Sequence, residues 1–145
     1  MQSRLTKLLL VVTVLTACMP SLGGVADKAA ARALCDRAME KILADDVPAA
    51  FELLKAELGT ALPEMDTLVL QTITQRSVTA SRFGKAIGIA FIKEEEAGDV
   101  LLRLTYVEKR SYHGYRWQFT FYKPSDRWLL DGVKWDDQLV KVFEP

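Results

Sequence analysis

The hydrophobic pattern of this chain changes period at Gly84, and that change limits the folds open to it. Before Gly84, Ala31, Leu34, Cys35, Ala38, Met39 and Ile42 recur at three- and four-residue spacing, as on one helical face. After it, short stretches rich in β-branched and aromatic residues alternate with polar ones between turn residues, as in half-buried strands. Helices that all precede the strands predict an α+β fold: N-terminal helices packed on one face of a curved antiparallel sheet of four or five strands.

The helices are expected at about 27–43, then after Asp45-Asp46 with Pro48 in the first turn and Gly59 at the end, then from Pro63 to about Ser81. The stretch 67–74 is also rich in residues that suit strands. Strands are predicted at 86–95, 100–109, 115–123 and 127–135, joined by turns at Ala97-Gly98-Asp99, His113-Gly114 and Pro124-Ser125-Asp126. The tail 138–143 fits a fifth strand or a short helix.

Half of the 145 residues are hydrophobic and about a quarter are charged, enough apolar material for one core. The 19 basic and 19 acidic residues are interspersed, so no basic patch marks a nucleic-acid partner. The amino terminus has the parts of a signal peptide: Arg4 and Lys7, the apolar run 8–15, then small residues. That run is too short to span a bilayer. It ends in Leu15-Thr16-Ala17-Cys18, which resembles the bacterial lipobox. The resemblance implies cleavage after Ala17 and lipid on Cys18, with residues 1–17 as signal, 18–26 as a flexible tether and 27–145 as one domain. Met19 after the cysteine points to the outer membrane, facing the periplasm. The alternative is ordinary cleavage near Gly24-Val25-Ala26, giving a soluble periplasmic or secreted protein. With Cys18 lipidated, Cys35 has no partner and reads as a buried, inert thiol; without lipidation, a Cys18–Cys35 disulfide is the alternative.

Gly88, the run 103–106, the run 117–124, Trp128 and Trp135-Asp136-Asp137 together resemble small exported bacterial proteins of the nuclear-transport-factor-like, or cystatin-like, cone superfamily. The superfamily includes enzymes, transport factors and bare binding modules, so the resemblance implies a fold more than a function. Steroid-isomerase-like members use an aspartate base with a tyrosine or acid as oxyanion stabiliser. Tyr106, Tyr115, Asp131 and Asp136 are the residue types available for that here, and sequence alone does not place such a pair in one pocket.

His113 is the only histidine and falls in a predicted turn, where a side chain points to solvent. Glu94-Glu95-Glu96 reads as a solvated strand end, with weak divalent-ion binding as the alternative. Neither a metal set nor a nucleophile motif is recognisable, and no cofactor is implied. The three tryptophans read as core first and ligand wall second. If His113-Gly114 is a two-residue turn, Tyr106 faces Phe121, Glu108 faces Phe119 and Arg110 faces Trp117, on the side of Val100, Leu102 and Leu104. Arg103, Thr105, Arg116, Gln118 and Thr120 then lie on a wet outer face. Glu108 and Arg110 continue the apolar row, either running past the helices into water or standing at the mouth of a pocket. In the second case Tyr106, Glu108, Arg110 and Trp117 form a candidate pocket.

Two functions follow. The favoured one is a non-catalytic, membrane-anchored envelope module that binds a small apolar ligand, a protein partner or its own copy as a homodimer. The other is a small enzyme acting on an apolar substrate within the cone.

Overall fold

The computed structural model describes residues 23–58 and 63–144. Cys18, the signal segment, the first part of the tether and Gly59 lie outside the described residues. Three helices, α1 (Lys28–Leu43), α2 (Val47–Lys55) and α3 (Pro63–Phe83), precede four strands, β1 (Ala86–Ala97), β2 (Leu101–Arg110), β3 (Gly114–Tyr122) and β4 (Leu129–Asp136). The strands pair antiparallel in chain order, and the helices pack on one face of the curved sheet. A 3-10 turn, Leu139–Val142, follows β4 and settles the alternatives for the tail in favour of a short helix.

Each helix begins where local chemistry favours it. Asp27 caps α1 by accepting from the Ala30 N–H at 2.7 Å, and Asp46 caps α2 by accepting from Ala49 at 3.2 Å, with Pro48 in the first turn. Asp45, between the two helices, has a positive φ of 61°. The α1 stripe from Ala31 to Ile42, Cys35 included, is buried, as are Ala50, Phe51 and Leu54 of α2. Helix α3 turns a mixed row of Met65, Thr72, Arg76 and Phe83 inward.

Two bulges in β1 and one between β3 and β4 interrupt the ladders, and such insertions bend and twist a sheet. Leu102, Leu104, Tyr106 and Glu108 of β2 and Tyr115, Trp117, Phe119 and Phe121 of β3 form the buried inner face. The β2–β3 register differs from the expected one: Tyr106 pairs with Trp117 rather than Phe121, and Glu108 with Tyr115 rather than Phe119. Residues 110–113 form a longer loop, closed by the Arg110 N–H donating to the His113 carbonyl at 2.9 Å. Because the displacement is an even number of residues, every side chain keeps its expected face.

The outer face is less wet than expected. Thr105 is fully buried and Arg116 nearly so. The C-terminal segment crosses this face, its carbonyls at Lys141 and Glu144 accepting from Arg116 Nη1 and Lys93 Nζ.

The start of the domain also departs from the expected tether. The Gly24 N–H donates to Glu57 Oε2 at 2.9 Å, and Val25 exchanges backbone bonds with Trp128 at 2.8 and 2.9 Å. Gly24 holds a φ of +103°, with no room for a side chain against Leu129 and the Trp128 carbonyl. Residues 23–26 are therefore docked. Among the described residues, no helix is long and apolar enough to cross a membrane.

Candidate functional site

Glu108 is the only fully buried carboxylate among the described residues, and its surroundings determine what the interior can do. A lone buried carboxylate is costly, so it must be paired or protonated. Here Arg76 Nη1 reaches Oε2 at 2.5 Å, Arg110 Nη1 reaches Oε1 at 3.0 Å, and Trp117 Nε1 donates to Oε2 at 3.3 Å. Arg76 also donates to the Ile42 carbonyl and, through two nitrogens, to Asp45 Oδ1. Burial pushes the Arg76 guanidinium down, but its bonds to Glu108 and Asp45 outweigh burial and hold its pKa above the ordinary value. The cluster is a saturated ion network that ties α3 and the α1–α2 turn to the sheet.

Of the four residues expected to line a pocket, Glu108, Arg110 and Trp117 are thus gathered together, but inside the core. Glu108 and Trp117 are sealed from water, and the Arg110 side chain, 9 % exposed, reaches only a small recess of about 150 Å³ that it lines with Asp45, Ile73 and Arg76. Packing closes the space because Arg76, which sequence reasoning did not single out, fills it from α3. Tyr106 points the other way, its hydroxyl donating to Asp36 Oδ1 at 2.7 Å, beside Arg32 stacked 3.4 Å over Phe91. Burial, then the bond to Asp36, raises the Tyr106 pKa, so it stays a phenol.

An open cleft lies next to this network, between α3 and the ends of β3 and β4. It encloses about 330 Å³, lined by Thr74, Gln75, Val78, Thr79, Tyr115, Trp135, Asp136 and Asp137. Its floor is fixed from both sides. Trp135 stacks on Trp117 at 5.5 Å, stands edge-on to Tyr115 at 5.1 Å, and donates from Nε1 to Thr72 Oγ1 at 2.8 Å. The Tyr115 hydroxyl is hydrogen-bonded to Thr79. The core-or-wall alternatives for the tryptophans therefore divide: Trp117 and Trp128 are core, and Trp135 is wall.

Two carboxylates line the cleft: Asp137 pairs with Arg82 at 3.4 Å, and Asp136 is held more firmly. Arg116 grips Asp136 with Nη2 at 2.6 Å and Nε at 3.2 Å, and the Gln138 N–H adds a third bond at 3.0 Å. Burial raises the Asp136 pKa, but the Arg116 bonds and the Gln138 amide outweigh it and hold it below the usual carboxylate value. A carboxylate so stabilised is a poor general base. Asp131 lies elsewhere, on a larger open groove of about 510 Å³ over the outer face, whose walls carry charges of both signs and no aromatic ring.

His113 stands edge-on to Phe83 at 4.6 Å and its Nε2 bonds the Asp137 carbonyl at 2.9 Å, so it closes the β2–β3 loop rather than facing free solvent. Glu96 pairs with Lys28 and Glu95 with Lys93. Among the described residues no three histidine, cysteine or acidic side chains are placed to hold a metal. Residues that sequence reasoning missed are Arg76, Thr72 and Thr79, all polar side chains facing inward from α3; their spacing with Met65 and Phe83 was the available signal.

Comparison with family models, curated proteins and solved structures finds no significant match to this chain.

Proposed function

We propose that this chain is a non-catalytic binding module of the bacterial cell envelope, anchored through lipid on Cys18 and built on the cone architecture its C-terminal half resembles. It takes a small, largely apolar ligand in the cleft between α3 and the ends of β3 and β4. One observation carries the reading: the cleft joins an aromatic floor to a few fixed polar groups, while Glu108 and Asp136 are neutralised by arginines and Asp137, the other carboxylate of the lining, pairs with Arg82 at 3.4 Å. Binding sites have such walls, apolar with a small number of polar groups that orient the ligand. Catalysis by proton transfer instead needs a carboxylate free to accept.

Val78 stands on the lip of the cleft and is largely exposed, so Val78→Arg narrows the opening without disturbing the core. Organic extraction of purified full-length protein followed by mass spectrometry should recover one small apolar compound from the wild type and much less from the variant. Equal recovery from both would remove the cleft from the proposal.

A further inference from the structure

The segment through which the chain enters the domain lies in one row with the exposed apolar end of the sheet. Val25 bridges to Trp128, Leu129 pairs with Tyr122, and Tyr122 pairs with Leu101. Neighbouring strands are spaced about 4.8 Å, so three steps of roughly 15 Å separate Leu101 from the entering segment. Cys18 precedes Gly24 by six residues, which span at most roughly 20 Å whatever their conformation.

This end carries three large apolar side chains in water: Val100, Leu101 and Tyr122, at 43 %, 39 % and 45 % exposure. The Val100 carbonyl accepts from the Lys123 N–H at 2.9 Å, so the two sheet turns stand side by side. Tyrosine suits a membrane interface, having an apolar body and a polar tip. The nearby charges are mixed: Lys28, Lys123 and Arg127 against Asp27, Glu96, Asp99 and Asp126, with Lys28 bound to Glu96 at 2.6 Å. Attraction to anionic lipid is therefore not the driving force.

We infer that this end of the sheet rests on the bilayer surface, forming a noncovalent contact through Val100, Leu101 and Tyr122 beside the covalent anchor. The inference depends on lipidation of Cys18, because the short connection is what holds this end within reach of the membrane. It fixes the orientation of the module: β2 runs about 30 Å from the surface at 3.3 Å per residue, carrying the 110–113 loop outward.

The test uses the full-length lipidated protein in phosphatidylcholine vesicles, with an environment-sensitive bimane label on Leu101→Cys, on Val100→Cys as a second position, or on Tyr112→Cys at the far loop. Cys35 is buried and does not compete for the label. Intact mass of each sample reports the acyl groups. Vesicles should shift the emission of labels at 100 and 101 to the blue and reduce their quenching by iodide several-fold, leaving the label at 112 unchanged. With the acyl mass present, labels at 100 and 101 that remain as quenchable as in buffer, or equal protection at 112, would overturn the membrane contact alone. A chain without acyl mass would refute the anchor, and the contact with it.

Discussion

Arg76 of α3 and Glu108 of β2 meet at 2.5 Å inside the protein, and this contact joins the helical layer to the sheet. Because the Arg76 side chain is only 4 % exposed and Glu108 is sealed, removing Arg76 leaves a buried carboxylate with its shortest bond lost and only Arg110 and Trp117 to compensate it. Arg76→Met is expected to cost about 3–5 kcal/mol in urea unfolding. The pair of Arg82 and Asp137, 3.4 Å apart and largely exposed, provides the control. Arg82→Met should change stability by no more than about 1 kcal/mol. Similar losses in the two variants would contradict the network's structural role.

Asp136 gives the protein an acid-sensitive element. Its pKa is lowered in the folded state, so its stabilising contribution is complete above the ordinary carboxylate value of about 3.9. That contribution is lost as pH falls below this value and through the lower folded one. Asp136→Asn should flatten the decline of stability in this acid range while reducing stability at neutral pH. An unchanged acid slope would show that other groups determine it.

Cys35 should be inert in the folded protein. Burial, reinforced by the neighbouring Asp36 charge, pushes its pKa far above the ordinary thiol value. An aqueous thiol reagent is expected to react with it only at the rate of unfolding, and Cys35→Ala should cost about 1 kcal/mol for the small cavity left. Rapid modification under native conditions would contradict burial.

Gly84 joins α3 to β1 with a φ of +78°, and a Cβ there would sit 2.8 Å from that of Ser111. Gly84→Ala is expected to destabilise by about 1–3 kcal/mol, from backbone strain and displacement of the 110–113 loop. Thermal unfolding measures it, and no loss would mean that this junction relaxes freely.

The α1 stripe was legible in the sequence because six small and apolar residues keep one period, and the strands because their turns are marked by glycine and proline. The inner face of β2 and β3 was legible too, since alternation depends only on parity. Register was not, because it is set by contacts distant in sequence: Ser111 and Tyr112 donate backbone bonds to Lys85 and Phe83, which hold open a loop that His113-Gly114 alone suggests is tight. The site was hidden for a related reason. Helix α3 faces inward with threonine and arginine, so it lacks the apolar stripe that identifies a buried face, and the partners that make Arg76 and Thr72 tolerable come from Asp45, Glu108 and Trp135. The cleft appears only once Trp135 and Thr79 are brought together across the fold.

Native mass spectrometry of the protein extracted from its own membrane reads lipid anchor and bound ligand in one spectrum. The expected species is a chain beginning at Cys18 with added acyl mass, carrying a small molecule that dissociates on activation. An unmodified chain with no adduct would contradict both parts.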